Sequence, residues 1–188
     1  MEIGPERIVK HMSKTDALAL ALLYANNHEP IPDDLFFQKE MFLVIDFIEE
    51  MKDYADFQAH FFGPYSEPVE DSIKNLVSYK LIEKRFSKYY ITKKGIDVFK
   101  LLEPRIANDK LLAIDDFKKL LNDMSRNELL VFVYFSFPQY ITESAIRNQV
   151  EKQRVPSAWS LYKKGKISLE KASKLSGLPI EDLLNKRR

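Results

Sequence analysis

Apolar positions recur at helical spacing along most of the chain, and short alternating stretches interrupt them in only two places. Thr15 and Asp16 precede Leu18, Leu20, Leu22, Leu23 and Ala25, which predicts a buried first helix ending at Asn26 and Asn27. Asp33 and Asp34 open a long amphipathic helix with Leu35, Phe36, Met41, Phe42, Ile45, Phe47 and Ile48 on its inner face, ending near Tyr54. Phe57, Ala59 and Phe61 then alternate with Gln58 and His60, predicting a short strand over residues 56–62 that Gly63 and Pro64 stop. Ser66 caps a helix over residues 67–79 with Val69, Ile73, Leu76 and Val77 inward, and Pro68 is tolerable there because it sits in the first turn. Residues 81–86 and 89–91 flank a turn at Ser87 and Lys88 as a two-stranded ribbon, after which a helix runs to Leu102.

Glu103 and Pro104 close that unit and place a domain boundary near residues 103–108. Residues 110–122 are amphipathic. Ser125 and Glu128 make a capping-box pattern, so the apolar run after them reads as a helix that Pro138 ends. A further helix spans residues 142–153 with Ala145, Ile146 and Val150 inward, and Pro156 and Ser157 start another that carries Trp159, Leu161 and Tyr162. Ser168 caps Leu169, Ala172, Ser173 and Leu175; Gly177 breaks that helix and Pro179 starts the last, with Ile180, Leu183 and Leu184 inward. The expected fold is mainly α with a small β component. A winged-helix-like domain (helix, strand, helix, ribbon) covers residues 1–104, and an α-helical domain covers 105–188, ending in a helix-turn-helix over 166–188.

Charge divides the chain more sharply than its net value of +1 suggests. Residues 1–80 carry 7 Lys and Arg against 15 Asp and Glu, whereas residues 147–188 carry 11 against 4. The basic end suits a polyanion and the acidic end a neutral or basic partner; equally, the two poles can face each other. The 188 residues include no cysteine, which removes thiolate metal sites, disulfides and cysteine nucleophiles and makes a cytoplasmic setting the natural expectation. The longest uncharged apolar run is far shorter than the roughly twenty residues a bilayer requires, so no membrane contact is expected.

Chemistry points to binding rather than catalysis. His11, His28 and His60 lie on separate elements at no ligand spacing, no glycine-rich phosphate loop is present, and no metal or cofactor is expected. Small residues at Ala172, Ser173 and Ser176 let the last two helices cross closely, which a DNA-reading pair needs and a helical hairpin inside a core needs as well. In the first reading Lys163, Lys164 and Lys166 anchor phosphates of double-stranded DNA, and Asn185, Lys186, Arg187 and Arg188 lie nearest the groove. The ribbon offers Lys84, Arg85, Lys88 and Lys93 around Phe86, Tyr89 and Tyr90 as further backbone contacts, though lysine also protects edge strands from aggregation. Glu67, Glu70 and Asp71 make the helix before the ribbon too acidic for groove reading, which assigns the amino-terminal domain to protein contact. Phe132, Tyr134, Phe135 and Phe137 make one helix apolar nearly all round, a core element by default and otherwise the seam of a homodimer.

The segment Phe61, Phe62, Gly63, Pro64, Tyr65, Ser66, followed by Leu76, Leu81-Ile82-Glu83, Tyr90-Ile91-Thr92 and Gly95, resembles the Panacea-type antitoxin domain of prokaryotic toxin-antitoxin systems. Gln38, Lys39 and Phe42 match the same family's upstream helix, where helical spacing alone would equally put Gln38 and Lys39 on the surface. The string from Leu161 through Gly165-Lys166-Ile167-Ser168 to Leu184 is similar to the helix-turn-helix of a small antitoxin-like family of archaea and bacteria, with Ala172-Ser173 where relatives carry paired alanines. These resemblances imply a non-enzymatic, DNA-binding regulator of transcription or an antitoxin-like protein, with a toxin or other protein as partner and the turn Gly63, Pro64, Tyr65, Ser66 as a protein-contact site. The alternative is a protein-protein interaction module that neutralises a toxin without touching DNA.

Overall fold

A computed structural model describes residues 4–185 and is mainly helical, with one two-stranded antiparallel ribbon. It forms two compact units: residues 1–57 with 65–122, and residues 58–64 with 123–188. Among the described residues no helix is long and apolar enough to cross a membrane.

The larger unit is built around α2 (Lys14–His28), preceded by α1 (Pro5–His11). Ser13 and Asp16 cap α2 reciprocally, and Leu20, Leu22 and Leu23 are fully buried. Burial on all sides follows because α5 (Glu67–Ser78), α6 (Lys93–Leu102), α7 (Asn108–Asn122) and the ribbon all pack on it. At its end Asn26, Asn27 and His28 take left-handed conformations with φ of 51°, 54° and 62°. Asparagine tolerates that region better than most residues, and Asp115 of α7 accepts the Asn26 N–H at 2.6 Å. Beyond this turn Ile31 exchanges backbone hydrogen bonds of 3.1 and 2.9 Å with Tyr89. One residue thus extends the ribbon of β1 (Ile82–Arg85) and β2 (Lys88–Ile91), whose register runs from Ile82 opposite Ile91 to Arg85 opposite Lys88.

Asp33 caps α3 (Asp34–Phe47), in which three successive polar residues are buried: Gln38, Lys39 and Glu40. The surface placement that spacing allows for Gln38 and Lys39 is therefore corrected. Gln38 holds the Ser66 backbone in both directions, donating to its carbonyl and accepting from its N–H at 3.0 Å each. Glu40 accepts from Lys118 of α7 at 3.0 Å with neither side chain exposed, and its Oε1 has no hydrogen-bond partner. Burial pushes the Glu40 carboxyl above its ordinary range and the Lys118 ammonium below its own, while each charge opposes the other's shift.

That pair overturns the boundary expected near residues 103–108 and the division into 1–104 and 105–188. Pro104 ends α6, but the chain passes through a short 3-10 turn into α7, which packs on α2 and α3 and belongs to the amino-terminal unit. Other expectations also shift. α3 stops at Phe47, and a 3-10 turn and the short α4 (Lys52–Ala55) follow it. Residues 56–62 form no continuous strand: Asp56 is left-handed with φ of 41°, Gln58 and Phe61 make only isolated bridges, and the Phe61 carbonyl accepts from the Ala145 N–H at 3.0 Å. Ser66 caps α5 as expected, but Val77 faces solvent while Val69, Ile73 and Leu76 are buried. The ribbon turns at Phe86 and Ser87, one residue earlier than the pattern suggests.

Glu40→Ala is expected to lower the free energy of unfolding by about 3–5 kcal/mol, because Lys118 is left buried without its counter-charge. Glu40→Met combined with Lys118→Met should recover most of that loss. Urea unfolding of the three proteins distinguishes this from a simple packing defect, in which the double variant would be the least stable.

Candidate nucleic-acid interface

The carboxy-terminal unit is a set of packed helices, and its connections are set by local chemistry. Ser125 and Glu128 form the reciprocal cap of α8 (Arg126–Ser136), which buries Leu129, Leu130, Val131, Val133 and Tyr134. In place of two helices over 142–153 and from Pro156, a single α9 (Arg147–Lys163) carries Pro156 in its interior. Proline removes one helical hydrogen bond, but the stripe of Val150, Ser157, Ala158 and Leu161 is buried in continuous packing on α8 and α10, so the helix persists. Ala145 and Ile146 lie ahead of it in a turn, Ala145 exposed.

Gly165, with φ of 68°, ends α9 in a Schellman arrangement: its N–H bonds the Tyr162 carbonyl at 2.9 Å and the next N–H bonds the Leu161 carbonyl at 3.0 Å. Ser168 then caps α10 (Leu169–Ser176). The Gly165-Lys166-Ile167-Ser168 string is thus a helix stop joined to a helix start. Ala172 and Ser176 are buried at the crossing with α9, and Ser173 donates to the Leu178 carbonyl at 2.6 Å, closing the turn into α11 (Ile180–Asn185). Arg154 of α9 finishes α10 from outside: its Nε donates to the Leu175 carbonyl at 2.5 Å while its guanidinium lies 3.9 Å from the centre of the Phe135 ring. Gly177, left-handed with φ of 72°, makes room for it, since a Cβ there would come within 2.8 Å of the guanidinium carbon.

The sequence-predicted contacts divide into free and occupied groups. Lys163 is exposed and carries no ion pair among the described residues, but Lys164 bonds Glu128 at 2.8 Å and Lys166 is paired with Asp123. Burial pushes Glu128 up, yet hydrogen bonds from Lys164, Ser160 and Ser125 hold it below its ordinary range. Two of the three expected phosphate anchors therefore serve the fold. Asn185 is exposed at the end of α11, and Lys186, Arg187 and Arg188 lie outside the described residues. The first turn of α11 holds exposed Glu181 and Asp182, so the positions a groove-reading helix commonly uses are negative here. Arg147, Lys152 and Lys174, which the sequence reading passed over, are exposed and without ion pairs among the described residues. Lys171 is held below its ordinary range by burial and by Lys174, and donates to Ser136 at 2.8 Å.

On the ribbon, Lys84 is bound by Asp34 at 2.7 Å and Arg85 is paired with Glu83, whereas Lys88 and Lys93 are exposed. Desolvation raises Asp34, but hydrogen bonds from Lys84 and Tyr89 outweigh it and leave the carboxyl below its ordinary range. The expected protein-contact turn is not a free surface: Gly63, Pro64 and Ser66 are buried, and only Tyr65 is partly exposed. Ser66 is engaged by Gln38, Ala55 and Val69, and the Tyr134 ring lies against Gly63. On α8, Tyr134 is buried, while Phe132 and Phe135 are partly exposed with Lys171 and Arg154 over their rings. Among the described residues no group of three or more His, Asp or Glu is placed to hold a metal ion. Neither a protein-family model nor a curated protein sequence matches the chain.

Gly177→Ala is expected to destabilise the chain by about 1–3 kcal/mol through backbone strain and the displaced guanidinium. In an Arg154→Ala background the same change should do less harm. Thermal unfolding of the four proteins gives the coupling, and strictly additive effects would contradict the Arg154 contact.

Proposed function

We propose that this chain is a non-enzymatic regulator that binds double-stranded DNA, with the carboxy-terminal unit as its main contact. The observation that carries the reading is a helical hairpin, α10 and α11 joined through Gly177, on a unit whose exposed Arg147, Lys152, Lys163 and Lys174 have no acidic partner among the described residues. Unpaired cations on a rigid frame are what phosphate contact needs, and they keep their full attraction for a polyanion. The acids of α11 favour contact through cations around the hairpin over base reading by its first turn. A winged-helix reading of the amino-terminal unit is supported by its order of α2, Ile31 bridge, α3, the short α4, α5 and ribbon.

A second reading, an antitoxin-like module that neutralises a basic protein, is favoured by α5. Lys74 is held by Glu70 at 2.8 Å and Asp71 at 3.2 Å, and Glu67 remains exposed, so that helix presents a negative face. Contact of this kind would use α5 and leave the buried Gly63–Ser66 turn as a structural element.

Fluorescence anisotropy of a labelled duplex at several salt concentrations tests the DNA reading. Binding should weaken steeply with salt, and Lys163→Ala or Lys174→Ala should each lower the salt slope by about 1 on every sequence. Lys164→Ala should mainly reduce stability, because it strips the buried Glu128 of its counter-charge and leaves it only the bonds from Ser125 and Ser160. Failure to bind at low salt would contradict the proposal.

A further inference from the structure

Three unfavourable features meet at the tip of the ribbon. Phe86 is 98% exposed, so its ring gains nothing from the fold. Phe86 and Ser87 both take left-handed backbone conformations, with φ of 47° and 70°, in a two-residue turn whose low-energy residues are Asn and Gly. Arg85 and Lys88 stand directly opposite across the two strands, a like-charge pairing that weakens a ribbon. Below the tip the ribbon is firmly held: Tyr89 is buried, meets Phe37 edge-on at 5.3 Å and pairs its backbone with Ile31. An unfavourable tip on a rigid base is the pattern of a binding element, since a partner that is anionic and has an apolar slot relieves the exposure and the charge repulsion together.

We propose that Phe86, flanked by Arg85 and Lys88, is a wedge that enters the minor groove of duplex DNA and partly unstacks a base step. This rests on the reading of the chain as a duplex binder and adds a contact from the other unit. The groove is about 6 Å wide and lined on both sides by phosphates. Arg85, paired with Glu83, and Lys88 bracket the tip residues Phe86 and Ser87 along the chain, one cation from each strand, which suits a groove with phosphates on both walls, and apolar wedges of this type kink duplexes. Lys93 lies next to the same ribbon and is exposed, whereas Lys84 is bound by Asp34 and Arg85 is paired with Glu83, the carboxylate within the strands. A lipid surface suits the tip less well, because a single ring buries too little apolar area for lasting attachment.

The test uses the full chain, an A·T-rich duplex carrying a central 2-aminopurine, and phosphatidylserine vesicles. The wild-type protein should bind the duplex and brighten the 2-aminopurine as its step unstacks. Phe86→Asn should abolish the brightening and weaken binding by about fivefold or more, yet raise the melting temperature, because asparagine accepts the left-handed turn. Opposite signs for stability and binding separate a wedge from a structural residue. Unchanged affinity and brightening in Phe86→Asn would overturn the wedge alone, whereas wild-type failure to bind any duplex would overturn the DNA reading as a whole. Vesicle binding lost in Phe86→Asn, with duplex binding intact, would overturn the wedge in favour of a lipid contact.

Discussion

The Glu40–Lys118 pair is the interaction on which the organisation of the amino-terminal unit depends. Two opposite charges with no exposure lie 3.0 Å apart between α3 and α7, and either one alone would be an ion in surroundings that solvate it poorly. Their attraction makes α7 a wall of the amino-terminal unit rather than a helix beyond a hinge. Asp115 adds a second tie by accepting the Asn26 N–H, which gives the left-handed turn at the end of α2 its place. Gln38, two residues before Glu40 and also buried in α3, holds the start of α5 through the Ser66 backbone. Four polar side chains, Glu40, Lys118, Asp115 and Gln38, thus tie together the helices around α2.

Helix starts are legible in the sequence because their chemistry is local. Ser66, Thr92, Ser125 and Ser168 each accept a backbone N–H three residues ahead, and the pattern needs no knowledge of the rest of the chain. Long-range polar burial is not legible in this way. Lys118 lies 78 residues from Glu40, and on hydropathy both belong at the surface, so the domain boundary moves when they meet. Alternation of aromatic and polar residues over 56–62 likewise imitates a strand, although among the described residues it makes only isolated bridges. Pro156 reads as a helix start because its local cost is visible, whereas the packing that offsets it is not.

The candidate interface is legible in part for the same reason. Lysine density marks the carboxy-terminal unit as basic, but only contacts distinguish Lys163 from Lys164 and Lys166, whose charges are neutralised by Glu128 and Asp123. Arg154 reaches a carbonyl 21 residues away, and nothing near it in sequence signals a cap. Phe86 is grouped with Tyr89 and Tyr90 by sequence, and only exposure and backbone separate it from the buried Tyr89. The charge asymmetry of the chain therefore resolves into local roles: cations near Asp123 and Glu128 stabilise the helical unit, and those without partners are available to a polyanion.

Hydrogen exchange of the full chain with and without duplex DNA measures the central claim, contact through the carboxy-terminal unit, most directly. Slower exchange on DNA addition should fall in peptides spanning residues 147–185 and at the ribbon tip, with α5 unchanged. Protection confined to α5, or none over residues 147–185, would contradict it.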